Sequence, residues 1–116
     1  MAAHPILVDR VRGILAGEGE AFEEKAMFGG IAFMVRGKLC VAVGRERLMC
    51  RIDPAIHSAA LQREGCRTVV TKGRSYVGYV HVDANALESE RELKYWLNLS
   101  LEYNRTAPAS KRKKSR

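Results

Sequence analysis

Three histidines are the residues of this sequence that could serve as general acids or bases near neutral pH. That chemistry requires a nucleophile or a carboxylate placed to exchange a proton with the imidazole ring. His4 lies in the N-terminal segment, His57 in a predicted helix and His81 near the end of a predicted strand, and none has a partner at the spacing of a catalytic motif. We therefore interpret all three as surface or packing residues, and we expect no catalytic residue and no enzymatic activity.

The cysteines Cys40, Cys50 and Cys66 are the second group that could carry chemistry, as metal ligands or as a disulfide. Structural zinc sites use four ligands that commonly come in closely spaced pairs, and these cysteines form no such pair. The sequence also shows no secretion signal at its start and no apolar run of membrane-spanning length. We therefore expect a cytoplasmic protein with reduced thiols, no metal, no cofactor, no membrane association and no small-molecule substrate.

The adjacent glycines Gly29 and Gly30 lie between apolar residues, where a phosphate-binding loop is one interpretation. That interpretation fails because neither a third glycine nor a GK[ST] sequence opens a helix after the pair. Glycine costs backbone entropy and offers no side chain to pack. We therefore predict that the pair is structural, and that at least one residue needs a backbone conformation or a close approach that a Cβ atom forbids.

The net charge of +7 comes mainly from the end of the chain. Residues 105–116 contain six lysines and arginines and no acid, whereas the remainder is nearly neutral. We predict a folded domain over 1–104 and a disordered basic tail over 105–116 whose removal leaves stability nearly unchanged. The tail could contact nucleic acid weakly and independently of sequence, or it could only keep the protein soluble. The residues that would make such contacts are Lys111, Arg112, Lys113, Lys114 and Arg116.

Hydrophobic periodicity predicts the elements that position these groups. The predicted helices span 5–17, 54–64 and 83–103, and the predicted strands lie within 22–52 and 67–82. Asp53 and Asp83 are interpreted as the caps of the second and third helices. The order is α-β-β-β-α-β-β-α, which predicts an α+β fold of two layers, with one antiparallel five-stranded sheet packed on helices.

The alternation of apolar residues also predicts a strand register. A three-residue loop at Arg36-Gly37-Lys38 would place Val35 opposite Leu39 and Phe33 opposite Val41. A four-residue loop at 44–47 would then place Val41 opposite Cys50. In this register the thiols of Cys40 and Cys50 lie on opposite faces of the sheet and cannot form a disulfide.

The face turned away from the helices would then carry Met34, Cys40 and Met49. A half-solvated antiparallel face is normally polar, so these apolar residues indicate a covered surface. Either a helix of the same chain covers it, or a partner does. We expect a partner-binding face here, with a homodimer as the candidate assembly and a second protein partner as the alternative.

One stretch of the sequence resembles a known family. The run from Glu24 to Val35 contains Met27, Phe28, Gly29 and Gly30, and the turn with Gly37 closes it. Continued through 39–43 and 48–53, it resembles the N-terminal domain of the TfoX/Sxy family of bacterial competence regulators, more loosely from about Val11 to about Tyr103.

The resemblance implies a fold similar to that of type III secretion chaperones and a role in transcription regulation of competence genes. Full-length competence regulators carry a second helical domain after this one, whereas this sequence ends in the basic tail. We therefore expect a stand-alone TfoX N-terminal domain protein that is regulatory or accessory and acts through protein contacts. The alternative is a nucleic-acid-associated protein that binds through its tail.

Overall fold

The computed structural model describes residues 3–27 and 29–108. The helices are α1 (Pro5–Gly17), α2 (His57–Ala60) and α3 (Glu90–Thr106), and short 3-10 turns span Pro54–Ile56 and Ala84–Leu87. The strands are β1 (Glu23–Met27), β2 (Gly30–Val35), β3 (Lys38–Val43), β4 (Arg47–Arg51), β5 (Cys66–Thr71) and β6 (Arg74–Asp83). These elements form an α+β fold, as predicted.

The strands form one antiparallel sheet in the order β1-β2-β3-β4-β6-β5, so the described residues contain six strands and not the predicted five. The strand that the prediction missed is β1, in which all five residues are exposed. Its sequence Glu-Glu-Lys-Ala-Met lacks the apolar alternation that identifies a half-buried strand. Its charges suit an edge, because charged side chains oppose pairing of an edge strand with other chains.

The helices pack on one face of the sheet and enclose the main core. α1 buries Leu7, Val11 and Leu15 at the predicted spacing. α3 lies across β3 and β4 and buries the side chains of Trp96 and Leu97 completely. Removal of this apolar surface from water is the main force that holds the two layers together. No helix within the described ranges is long and apolar enough to cross a bilayer.

The second and third helices begin differently from the prediction. Asp53 accepts a hydrogen bond from the N–H of Ala55 (2.9 Å), but it is followed by a 3-10 turn and only four residues of α-helix. Asp83 ends β6 and precedes the 3-10 turn Ala84–Leu87, but its side chain makes no capping hydrogen bond. Its carboxylate instead accepts two hydrogen bonds from Arg67, at 2.6 and 3.1 Å. Ser89 is the residue that caps α3.

The turn between β2 and β3 corrects the predicted register. Arg36 and Gly37 both have positive φ, at 55° and 72°, which is the conformation of a two-residue type I′ hairpin turn. Val35 therefore lies opposite Lys38 and not opposite Leu39. The sheet returns to the predicted pairing of Phe33 with Val41 through a bulge.

This bulge reverses the alternation of side chains in the first half of β3. Cys40 is the extra residue, because Met34 lies opposite Leu39 and the adjacent Phe33 lies opposite Val41. The side chain of Cys40 joins the main core together with that of Cys50, while Leu39 moves to the other face. The prediction that Cys40 and Cys50 lie on opposite faces is therefore wrong, and both cysteines are free in the structure.

The folded part of the chain extends beyond the predicted boundary at residue 104. α3 continues to Thr106, and Ala107 is buried. The ammonium of Lys38 donates a hydrogen bond to the carbonyl of Ala107 (3.0 Å), and the guanidinium of Arg51 donates one to the carbonyl of Pro108 (3.2 Å). The domain therefore extends at least to Pro108, and removal of residues from 105 onward would break these contacts.

Candidate functional site

The second face of the sheet is largely closed in the described structure. Its cluster contains buried residues from four strands, namely Ala32, Leu39, Ala42, Met49 and Val69. Val69 belongs to β5 at the far edge of the sheet, so the cluster extends to that edge. Of the three residues predicted to form a partner-binding face, Met49 is buried, Met34 is partly buried and Cys40 lies in the main core. The predicted apolar face is real, but the chain itself covers most of it.

A buried cation lies beside this cluster. The guanidinium of Arg51 lies 5.8 Å from the ring centre of Tyr79 and 5.7 Å from that of Tyr103, so aromatic faces partly compensate its charge. Its Nη1 is buried and has no hydrogen-bond partner among the described residues. Together with Lys38, it fastens the end of α3 to the sheet, which is a structural role.

The hairpin of β2 and β3 is also fastened by polar contacts. The side chain of Asn104 is buried, donates to the carbonyl of Val35 (3.1 Å) and accepts a hydrogen bond from Arg36 (3.0 Å). Arg36 also forms an ion pair with Glu20 (3.2 Å). These contacts fix the turn at Arg36 and Gly37 against the end of α3. They give the side chain of Arg36 a structural role at a position where the turn requires a positive φ.

The glycine pair lies at the hairpin between β1 and β2. Gly29 has φ of +73°, which residues with a Cβ atom rarely adopt. A Cβ atom on Gly30 would lie 2.0 Å from the carbonyl oxygen of Val43, so only glycine fits there. Met27 ends β1 with its side chain exposed, and Phe28 lies outside the described residues. Both glycines therefore meet a requirement of the backbone.

The histidines are occupied by structural contacts. His57 is buried, and its Nδ1 accepts a hydrogen bond from the N–H of Gly78 (2.9 Å). Its Nε2 therefore carries the proton and donates to Thr68 Oγ1 (2.9 Å). His4 caps α1 by accepting from the N–H of Leu7 (3.2 Å). Burial, reinforced by two nearby arginines, lowers the pKa of His81 to about 4, so this ring is neutral at pH 7.

The thiols are buried and unreactive. Burial raises the pKa of Cys40 to about 12 and the pKa of Cys66 to about 11, and it raises the pKa of Cys50 still further. A thiol reacts and binds metals as the thiolate, so these side chains behave as small apolar residues. Within the described ranges no three side chains of ligand type come together to hold a metal ion.

Half of the large exposed apolar residues in the described ranges lie on the outer hairpin, formed by β5 and β6. All eight residues from Val70 to Val77 are exposed. Three of them are large and apolar: Val70, Tyr76 and Val77 are 57%, 40% and 62% exposed. Single exposed apolar residues are common on protein surfaces, whereas several on one hairpin indicate a contact surface.

β6 contains three residues that have no partner on β5. Thr68 pairs with Val80 but the next residue, Val69, pairs with Tyr76, so residues 77–79 have no partner on β5. Gly78 lies in this irregular segment with φ of +93°, and its N–H is the group that His57 binds. This surface could not be predicted from the sequence, because Val and Tyr at alternating positions indicate a strand but do not show whether that strand is buried.

The basic residues predicted to contact nucleic acid, Lys111, Arg112, Lys113, Lys114 and Arg116, lie outside the described residues.

Comparisons with known proteins complete the description of the chain. Neither the search of curated proteins nor the search of solved structures finds a match. A sequence model of the TfoX N-terminal domain matches residues 14–103, which is most of the 116-residue chain and includes the three hairpins described above. The chain therefore belongs to the TfoX N-terminal domain family.

Proposed function

We propose that this protein is a non-enzymatic regulatory or accessory protein of transcription that acts through protein contacts, in the control of competence-type genes. Family membership supports the regulatory part of this proposal. The observation that carries the protein-contact part is the outer hairpin, on which the large apolar residues Val70, Tyr76 and Val77 are exposed. His4 and His57 are held in structural hydrogen bonds, and the three thiols are buried.

The test of this function is made in the native host. A strain that lacks the gene is complemented with the wild-type protein, and transcripts of the DNA-uptake genes are quantified in both strains. In parallel, the tagged protein is crosslinked in cells and the proteins attached to it are identified. We expect the transcripts to depend on the protein and a defined partner to be crosslinked. Unchanged transcripts together with an absence of crosslinked partners would contradict the proposal.

A second candidate function is weak association with nucleic acid through the basic end of the chain. The observation that favours it is the concentration of six basic residues and no acid from residue 105 onward. Because Arg105 lies in α3, the test leaves the helix intact and changes only Lys111, Arg112, Lys113 and Lys114 to glutamine. Duplex DNA binding at low salt should disappear in this variant. Binding that persists at about 0.15 M salt would indicate a nucleic-acid surface on the folded domain.

A further inference from the structure

We propose that the free edge of β5 binds an acidic, extended segment of a partner protein, which adds a strand to the sheet beside the outer hairpin. This inference rests on the proposed function and specifies the surface and the chemistry of the partner. Strand addition supplies affinity through main-chain hydrogen bonds and specificity through alternate side chains.

The two edges of the sheet differ in a way that favours β5. At the other edge, β1 carries Glu23, Glu24 and Lys25, and the carboxylate of Glu24 is held by Arg12 at 2.6 and 2.8 Å. The stretch of β5 from Thr68 to Thr71 has no charge and consists of β-branched residues. An uncharged edge strand with high β propensity is a template for pairing, and soluble proteins normally block it.

The backbone of Val70 points toward this free edge. Lys72 and Gly73 have φ of 54° and 77°, so Thr71 and Arg74 close a two-residue turn and exchange hydrogen bonds with each other. Hydrogen-bonded and non-hydrogen-bonded pairs alternate along an antiparallel ladder. The next pair, Val70 with Ser75, is therefore non-hydrogen-bonded, and the N–H and carbonyl of Val70 face away from β6. An added strand would find both groups free, beside a side chain that is 57% exposed.

The charge of the outer hairpin selects an acidic partner. From Cys66 to Val82 the chain contains Arg67, Lys72 and Arg74 and no acid. Arg67 is neutralised by Asp83, whereas no carboxylate of the described residues forms an ion pair with Lys72 or Arg74. The basic end of the chain itself has the same sign of charge, and a second copy would bring the same basic turn. In an extended segment that alternates acidic and apolar residues, the acidic side chains would pair with Lys72 and Arg74, and the apolar side chains would contact the exposed Val70 and Val77.

The experiment uses the full-length protein and a synthetic peptide of about eight residues, a typical strand length. The labelled peptide alternates valine and glutamate, and its control has lysine in place of glutamate. Fluorescence anisotropy at about 0.15 M salt measures binding to the wild type and to the variants. We expect the acidic peptide to bind and the basic peptide not to bind.

Substitutions at the edge separate strand addition from simple charge attraction. Val70→Pro removes an outward N–H, which a proline tolerates at an edge position, and should weaken binding at least about tenfold. If circular dichroism shows that this variant does not fold, an acidic peptide N-methylated at alternate residues decides, because it keeps its charge but cannot form the main-chain hydrogen bonds and should not bind the wild type. Arg74→Glu should weaken binding, whereas the same charge change at the exposed Arg91 on α3 should not.

Other outcomes would overturn the proposal. The first is that the acidic peptide does not bind, and the second is that the wild type and Val70→Pro bind it equally. The third is that the Val70→Pro variant loses binding to duplex DNA, which would mean that this edge contacts nucleic acid. Concentration-dependent dimerisation in sedimentation that Val70→Pro abolishes would show that a second copy occupies the edge. If Val70→Pro is still crosslinked to the wild-type partner in cells, the proposed function stands and the edge assignment fails. If the wild type is crosslinked to no partner, the proposed function itself fails.

Discussion

Replacement of Gly30 by alanine should destabilise the sheet at the junction of its first three strands. The added Cβ atom would lie 2.0 Å from the carbonyl oxygen of Val43, and 3.0 Å from its carbonyl carbon. Cβ atoms rarely approach an oxygen closer than 3.0 Å, so the backbone must move by about 1 Å. That displacement affects the pairs of Met27 with Gly30 and of Ile31 with Val43.

Loss of about two backbone hydrogen bonds, at about 1 kcal/mol each, together with residual strain, gives an expected loss of about 2–4 kcal/mol. For a domain of this size each kcal/mol lowers Tm by about 4 °C, so Tm should fall by roughly 8–16 °C. Urea unfolding followed by circular dichroism measures the change. The matched control is Gly13→Ala in α1, where a Cβ atom meets nothing within 4 Å and should stabilise the helix by about 0.5–1 kcal/mol. Equal urea midpoints for Gly30→Ala and the wild type would refute the close approach.

Three further predictions follow from the buried polar groups. His57→Phe should leave the N–H of Gly78 unpaired and lower stability by about 1–3 kcal/mol; faster hydrogen exchange of the Gly78 amide checks this, and an unchanged exchange rate would contradict it. His81 faces Arg47, Arg67 and Asp83, and its pKa falls from 6.5 to about 4 on folding. Above pH 6.5 the ring is neutral in both states, whereas between pH 6.5 and 4 the unfolded chain takes up the proton first, so the free energy of unfolding decreases. Urea midpoints of His81→Asn should therefore vary less with pH than those of the wild type over this interval. The three cysteines should resist a thiol reagent at pH 8 in the native protein and react after unfolding, and fast labelling of native Cys40 would place it on the surface.

The parts of the fold that follow from local chemistry were predictable from the sequence. α1 is defined by its apolar spacing, and the pairings of β3 with β4 follow from alternation and a short loop. The close approach of the Val43 carbonyl to Gly30 could not be predicted, but two adjacent glycines indicate a backbone requirement because no side-chain function explains them. These signals need only a few neighbouring residues and do not depend on the tertiary structure.

The remaining features depend on interactions that the pattern does not contain. The face assignment of Cys40 failed because Leu39, Cys40 and Val41 are all apolar. The sequence is therefore consistent with either Leu39 or Cys40 on the core face, and only the bulge decides between them. β1 was missed because an exposed edge strand needs no apolar face. The outer hairpin was predicted within 67–82, but its exposed apolar surface was missed, because Val70 and Val77 are residue types that are typical of a core.

The bulge in β3 makes this strand unequally sensitive to changes of chain length. Deletion of Cys40 would leave Leu39 opposite Met34 and Val41 opposite Phe33, so that every pair of the ladder would keep its partner. The loss would be limited to the small space that the thiol fills in the core. Deletion within the regular part of β3, between Val41 and Val43, would instead transfer the following side chains to the wrong face. Relatives that lack one residue between the turn at Gly37 and the residue equivalent to Val41 can therefore share the same sheet, and an alignment gap at this point is compatible with a conserved fold.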